Sequence, residues 1–166
     1  FHGKTSGAAR LTANPGYRTR FSSGGMQVIR LEPGDQNALL AGVEDQVEMI
    51  YDLDRDGQVI QRSWCAIAAA FVEPVQGEGG VRPLDRVYLG ELRALADQFD
   101  FPIVVDEIQS GFGRCGAFIA ADKLGLRGDY YTLGKSLGGG VQKIGALLVD
   151  EASYEPDFAL YHTSTF

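Results

Sequence analysis

Two short apolar runs, each closed by an ionisable residue, constrain this chain more than any other feature. Phe101-Pro102-Ile103-Val104-Val105 stops at Asp106-Glu107, and Tyr130-Tyr131-Thr132-Leu133 stops at Gly134-Lys135-Ser136. Short apolar runs bounded by turn formers are the pattern of strands buried on both faces. Ile108-Gln109-Ser110-Gly111-Phe112-Gly113-Arg114, after the first run, is too glycine-rich to continue a strand, and Gly138-Gly139-Gly140 follows the second. In open α/β sheets, ligands bind beyond the carboxyl ends of the strands. The pattern therefore predicts an acid and a lysine side by side at a binding edge.

The rest of the chain supplies strands and helices in alternation. Residues 1–25 read as a surface loop, and 26–31 as a short strand closed by the turn Glu32-Pro33-Gly34-Asp35. Residues 37–51 read as a helix, with Leu39, Leu40, Val43, Val47 and Ile50 on one face. Residues 66–72, small and apolar, read as a central strand ended by Glu73-Pro74. A glycine-rich loop (76–82) leads into a second amphipathic helix over 84–99, with Val87, Leu89, Leu92, Leu95 and Ala96 towards the sheet. A short helix around 117–124 and a final strand over 144–149 complete the reading. The predicted fold is α/β, a mostly parallel sheet with helices on both faces.

Composition narrows the function. The formal charge is −7, from 15 basic and 22 acidic residues, which disfavours nucleic acid as a partner. No stretch approaches the roughly 20 apolar residues that span a bilayer. The two cysteines, Cys65 and Cys115, fit no metal spacing and read as reduced thiols, so the expected compartment is the cytoplasm. Both ends read as cut from something longer.

Lys135 and Asp106 are the strongest chemical candidates. A lysine held short of water at a strand end can serve as a nucleophile for imine formation. A carboxylate in reach of a pyridine nitrogen keeps that nitrogen protonated and the ring an electron sink. Gln109, in the turn after Asp106, could donate its amide to a phenolic oxygen. Arg114 reads as structural. Gly134-Lys135-Ser136 resembles the end of a phosphate-binding loop, but the first glycine that loop needs is replaced by Asp129. Asp52-Leu53-Asp54-Arg55-Asp56-Gly57 copies the start of a calcium loop, but the twelfth position is Ser63 rather than glutamate, so a solvated acidic turn is expected.

Three segments together resemble the class III pyridoxal-phosphate-dependent aminotransferases, the ornithine, acetylornithine and 4-aminobutyrate group. They are Glu73-Pro74-Val75-Gln76-Gly77-Glu78-Gly79-Gly80, then residues 105–114, then Thr132-Leu133-Gly134-Lys135-Ser136-Leu137-Gly138-Gly139-Gly140. The likeness runs from Phe1-His2-Gly3-Lys4-Thr5 to Thr163-Ser164-Thr165-Phe166, with departures from the family pattern at Gly128-Asp129, Lys143 and Thr163. It implies that residues 1–166 are the central part of the large domain of a fold-type I enzyme, without the N-terminal part or the C-terminal small domain.

The resemblance also implies roles. Lys135 would hold pyridoxal 5'-phosphate as a Schiff base and shuttle a proton. Asp106 would pair with the pyridine nitrogen, Gln109 with the phenolic oxygen, and Phe1 would stack on the ring. Glu73 would lie near cofactor and substrate, and Glu78 would be a gate glutamate paired with a switchable arginine. Thr165 would reach the cofactor phosphate of a neighbouring subunit, which implies a homodimer with shared sites. The implied activity is amino transfer from an amino acid or ω-amine to an oxo acid or aldehyde. An aminomutase, racemase or decarboxylase on the same scaffold, or a non-catalytic dimerising segment, is the alternative, and the isolated piece would be inactive.

Overall fold

The computed structural model describes residues 1–19 and 26–157. Its centre is a four-stranded sheet in the order β3-β6-β7-β8. Strand β3 is Ala70–Val72, β6 Ile103–Asp106, β7 Tyr130–Leu133 and β8 Ala146–Val149. The first three run parallel, with Val72 opposite Val105 and Asp106 opposite Thr132, whereas β8 returns antiparallel to β7. Ile103 and Val105, which share one face of β6, are fully buried, and Val104 on the other face is half-buried.

Helix α4 (Arg86–Phe99) is the crossover from β3 to β6. Asp85 starts it, its carboxylate accepting the amides of Val87 and Tyr88. Asp100 ends it in the left-handed conformation. The buried face holds Tyr88, Leu89, Leu92 and Ala96, while Val87, expected inward, is 60% exposed. Helix α3 (Gln36–Glu44), capped by Asp35, adds Leu39 and Val43 to the same core.

Other expectations need correction. Residues 1–25 are not all loop: α1 (Ser6–Leu11) and α2 (Pro15–Arg18) form there, and residues 26–31 form no strand. The helix expected over 37–51 stops at Glu44, and β1 (Val47–Leu53) pairs antiparallel with β2 (Val59–Cys65). Val47 and Ile50 fit a helical stripe, yet Val47, Met49, Tyr51 and Leu53 also alternate, and a partner strand lies across a tight turn. Asp54 builds that turn by accepting the amides of Asp56 and Gln58, so the calcium-like motif is a hairpin turn. The central strand covers only Ala70–Val72 of the expected 66–72. The glycine-rich loop contains the small ladder of β4 (Val75–Gln76) and β5 (Arg82–Pro83), and α5 is shorter than expected, Ala120–Leu124. Among the described residues, no helix is long and apolar enough to cross a membrane.

Candidate active site

Parallel pairing of β6 and β7 brings their carboxyl ends to one edge. Asp106 is the last residue of β6, opposite Thr132, and Lys135 follows three residues later on the neighbouring strand's exit. The acid and the lysine thus share the predicted edge.

Asp106 is 7% exposed and uses both carboxylate oxygens. Oδ1 accepts the amide of Ile108 at 3.1 Å, and Oδ2 is 2.8 Å from His2 Nδ1. His2 was not singled out by the sequence reading. Its only signal there was a place directly after Phe1, and its partner lies 104 residues away.

Lys135 opens a short 3₁₀ turn, Lys135–Gly138, and sits at a φ of 44°. That left-handed conformation is uncommon outside glycine and costs roughly 1–2 kcal/mol. The lysine is exposed. The dry surroundings expected for it are thus not provided by the described residues, because the chain leaves the buried Gly134 and turns at Lys135 itself.

Gln109 is exposed in the turn after β6, and its side chain lies over Gly77 of the glycine-rich loop. A Cβ on Gly77 would stand 1.6 Å from Gln109 Oε1, so only glycine leaves Gln109 in this position. Glu73 Oε2 accepts from the terminal ammonium of Phe1 at 2.7 Å. Phe1, Glu73 and Glu78 line a cleft of about 140 Å³ together with Thr12 and Tyr17. The Phe1 ring meets Tyr17 edge-on at 4.9 Å. Thr165 lies outside the described residues.

Glu107, also missed, is the structural counterpart of Asp106. It is 1% exposed, and its carboxylate accepts the Ser110 hydroxyl at 2.5 Å and the Ala121 amide at 2.7 Å. Helix α5 has no side-chain cap of its own at Ile119, so Glu107 satisfies one of its free amides. Two adjacent acids therefore divide the work: one faces the edge, the other ties down the loop that leaves it.

A larger hollow of about 460 Å³ lies at the opposite, amino edge of the strands, beside Arg93, Phe101 and Asp129. None of the predicted site residues that the structure describes lines it. Asp129 there accepts Ile103 N–H at 2.7 Å and pairs with Arg93 at 2.8 Å, which fixes the start of β6. Asp129 and Asp97 raise the Arg93 pKa against the burial that opposes its charge.

Residues 1–166 match the family profile Aminotransferase class-III. A putrescine aminotransferase from Pectobacterium atrosepticum is 34% identical over 168 residues, covering 100% of this chain and 33% of that enzyme. The ornithine aminotransferase crystal structure from Toxoplasma gondii ME49 superposes with a TM-score of 0.73 at 29% identity, over 93% of this chain and 33% of its own. A second structure of the Toxoplasma gondii ornithine aminotransferase, described with partial occupancy of pyridoxal phosphate at its active site, gives a TM-score of 0.68 at 28% identity, over 92% and 32%. The chain thus spans about a third of the length of these relatives. With the parallel sheet and its fold-type I neighbours in agreement, the chain belongs to the class-III aminotransferase family.

Proposed function

We infer that the full-length protein containing this chain is a pyridoxal-phosphate-dependent aminotransferase. It moves an amino group from an amino acid or ω-amine to an oxo acid or aldehyde. The observation that carries this reading is the shared edge: Asp106 and Lys135 leave neighbouring parallel strands at the same end.

The residues present fit the cofactor ring. Asp106 accepts one hydrogen bond on each oxygen and has lone pairs to spare for a ring N–H. Beside it, Thr132 Oγ1 is buried without a partner among the described residues, as a site awaiting a polar group would leave it. When bound, pyridoxal phosphate supplies the electron sink for a substrate carbon that loses a proton.

The chain's own groups then have separate tasks. Asp106, shielded from solvent, would hold a proton on the ring nitrogen. Lys135, exposed and anchored by its backbone turn, is the amine that links the cofactor and afterwards carries a proton. Gln109, steadied over Gly77, donates to the ring's phenolic oxygen. Phe1 offers its ring face, and Glu73 lines the same cleft. Glu78, exposed at the cleft mouth, is free to exchange partners between two substrates.

Thr165 would serve a neighbouring subunit's phosphate, in a homodimer with shared sites. Val141 and Ile144, exposed just beyond Lys135, support a further covering layer. Unpaired Cys65 and Cys115 support a reducing compartment, the cytoplasm. The test is an amino-transfer assay on the full-length protein with 2-oxoglutarate as acceptor. Transfer by the wild type and none by Lys135→Ala is expected; equal rates in the two would contradict the assignment.

A further inference from the structure

Thr132 is held from both sides of β7. It lies opposite Asp106 of β6 and opposite Leu147 of β8, and its carbonyl accepts the Glu107 N–H at 3.0 Å. Its hydroxyl is the exception. Oγ1 is buried and has no hydrogen-bond partner among the described residues; the other such side-chain atom there, Arg93 Nε, belongs to a residue beside the hollow at the amino edge. A buried hydroxyl left alone costs stability, and valine would occupy nearly the same space without that cost. The residue type therefore points to a polar group that comes from outside.

Alternation gives the direction. Val105 and Leu133 enter the core with Leu89 and Leu92 of α4. Asp106 and Thr132, the next residue of β6 and the preceding one of β7, therefore face the other side of the sheet together.

We propose that the Thr132 hydroxyl donates to the phosphate group of the cofactor, a phosphate contact supplied by this chain itself. The proposal rests on the reading that Asp106, Lys135 and Gln109 hold the cofactor ring. In pyridoxal 5'-phosphate the phenolic oxygen and the phosphate arm flank, on opposite sides, the carbon that Lys135 would join. Strand β6 has β3 on one side and β7 on the other. Gln109, the partner of the phenolic oxygen, lies over Gly77, whose N–H donates to Glu73 Oε1 at 3.5 Å just past the end of β3. With the phenolic oxygen drawn towards β3, the phosphate arm falls to the β7 side, where the orphaned hydroxyl stands. A hydroxyl donating to a phosphate oxygen makes a charge-assisted hydrogen bond, the stronger kind.

The test titrates the cofactor-free, full-length protein separately with pyridoxal 5'-phosphate and with pyridoxal, which lacks the phosphate. Thr132→Val should bind pyridoxal 5'-phosphate about tenfold more weakly, as loss of a hydrogen bond to a charged group requires. Its affinity for pyridoxal should equal that of the wild type, and without cofactor it should melt no lower. Thr132→Ser, which keeps the donor, should retain the wild-type preference for the phosphate ester. The ³¹P resonance of the bound cofactor should shift in Thr132→Val and not in Thr132→Ser.

If the wild type binds neither compound and forms no borohydride-trapped adduct, the cofactor reading falls and this inference with it. If the adduct forms but Thr132→Val matches the wild type towards pyridoxal 5'-phosphate, the Thr132 inference alone is overturned. Equal losses towards both compounds would also overturn it, because the hydroxyl would then serve the ring and not the phosphate. Should Thr132→Val fail to fold, Thr132→Ala compared with Thr132→Ser decides, and an equal preference for the phosphate ester in those two would overturn the proposal.

Discussion

The carboxylate of Glu107 accepts the backbone amide of Ala121, fourteen positions further along the chain, at 2.7 Å, and the acid is 1% exposed. The same carboxylate accepts Ser110, so one buried acid pins both ends of the turn that presents Gln109. Glu107→Ala would leave a hydroxyl and an amide buried without partners. At about 1–3 kcal/mol for each such group, the expected loss is about 3 kcal/mol. Urea unfolding of the full-length protein checks this, and a midpoint unchanged from the wild type would show that the clamp is unimportant.

Gly77 makes a different prediction, because what its Cβ would strike is the mobile end of Gln109 rather than backbone. Gly77→Ala should leave stability within about 1 kcal/mol, since a flexible side chain can move aside. It should nevertheless displace Gln109 and lower cofactor affinity. Thermal unfolding without cofactor, beside a cofactor titration, separates the two effects.

At position 128 the obstacle is rigid. A Cβ there would lie 2.5 Å from Val105 Cγ2, in the core, and the Gly128 N–H donates to the Tyr131 hydroxyl at 2.8 Å. Gly128→Pro would crowd β6 and delete the donor together, costing about 2–4 kcal/mol. A smaller loss of denaturation midpoint than in Gly128→Ala would be the unexpected result.

Lys135 combines function with backbone strain. Lys135→Gly should abolish the covalent link, yet stabilise the cofactor-free protein by about 0.5 kcal/mol. Relief of the left-handed conformation, about 1–2 kcal/mol, outweighs the added freedom of the unfolded glycine. Lys135→Ala abolishes the link without that gain. Comparing the melting of the two variants measures the strain directly.

Tyr88 and Tyr131 set an alkaline limit. Burial pushes both phenols above their ordinary range; Asp35 adds to this at Tyr88, while the Gly128 amide partly offsets it at Tyr131. A pKa raised in the folded state means that the folded protein retains its proton longer. The stabilisation is complete below the unfolded value of about 10 and is lost as pH rises through the folded value. Stability should decline above about pH 10, and less steeply in Tyr131→Phe.

How much could be read in advance depended on whether a residue's partner was near in sequence. Helix α4 and strands β6 and β7 were legible because Leu89, Leu92 and Ala96, or Ile103 and Val105, repeat at the spacing of their own element. The β1–β2 hairpin was misread because Val47 fits two periods, a helical one with Ile50 and a strand one with Met49, Tyr51 and Leu53, and only the pairing with β2, Ile50 opposite Arg62 among it, decides between them. Helix α1, Ser6–Leu11, has small residues and no apolar stripe to announce it. At the site, Asp106 and Lys135 could be found because each ends a strand. His2 and Glu107 could not, because their roles exist only through contacts with Asp106 and Ala121 that folding creates.

The central claim is that Lys135, among the chain's four lysines, is the one a cofactor reaches. Borohydride reduction of the full-length protein with pyridoxal 5'-phosphate, followed by peptide mass mapping, measures this directly. A reduced adduct confined to the peptide bearing Lys135 is the predicted result. An adduct on Lys4, Lys123 or Lys143 instead, or none at all, would contradict it.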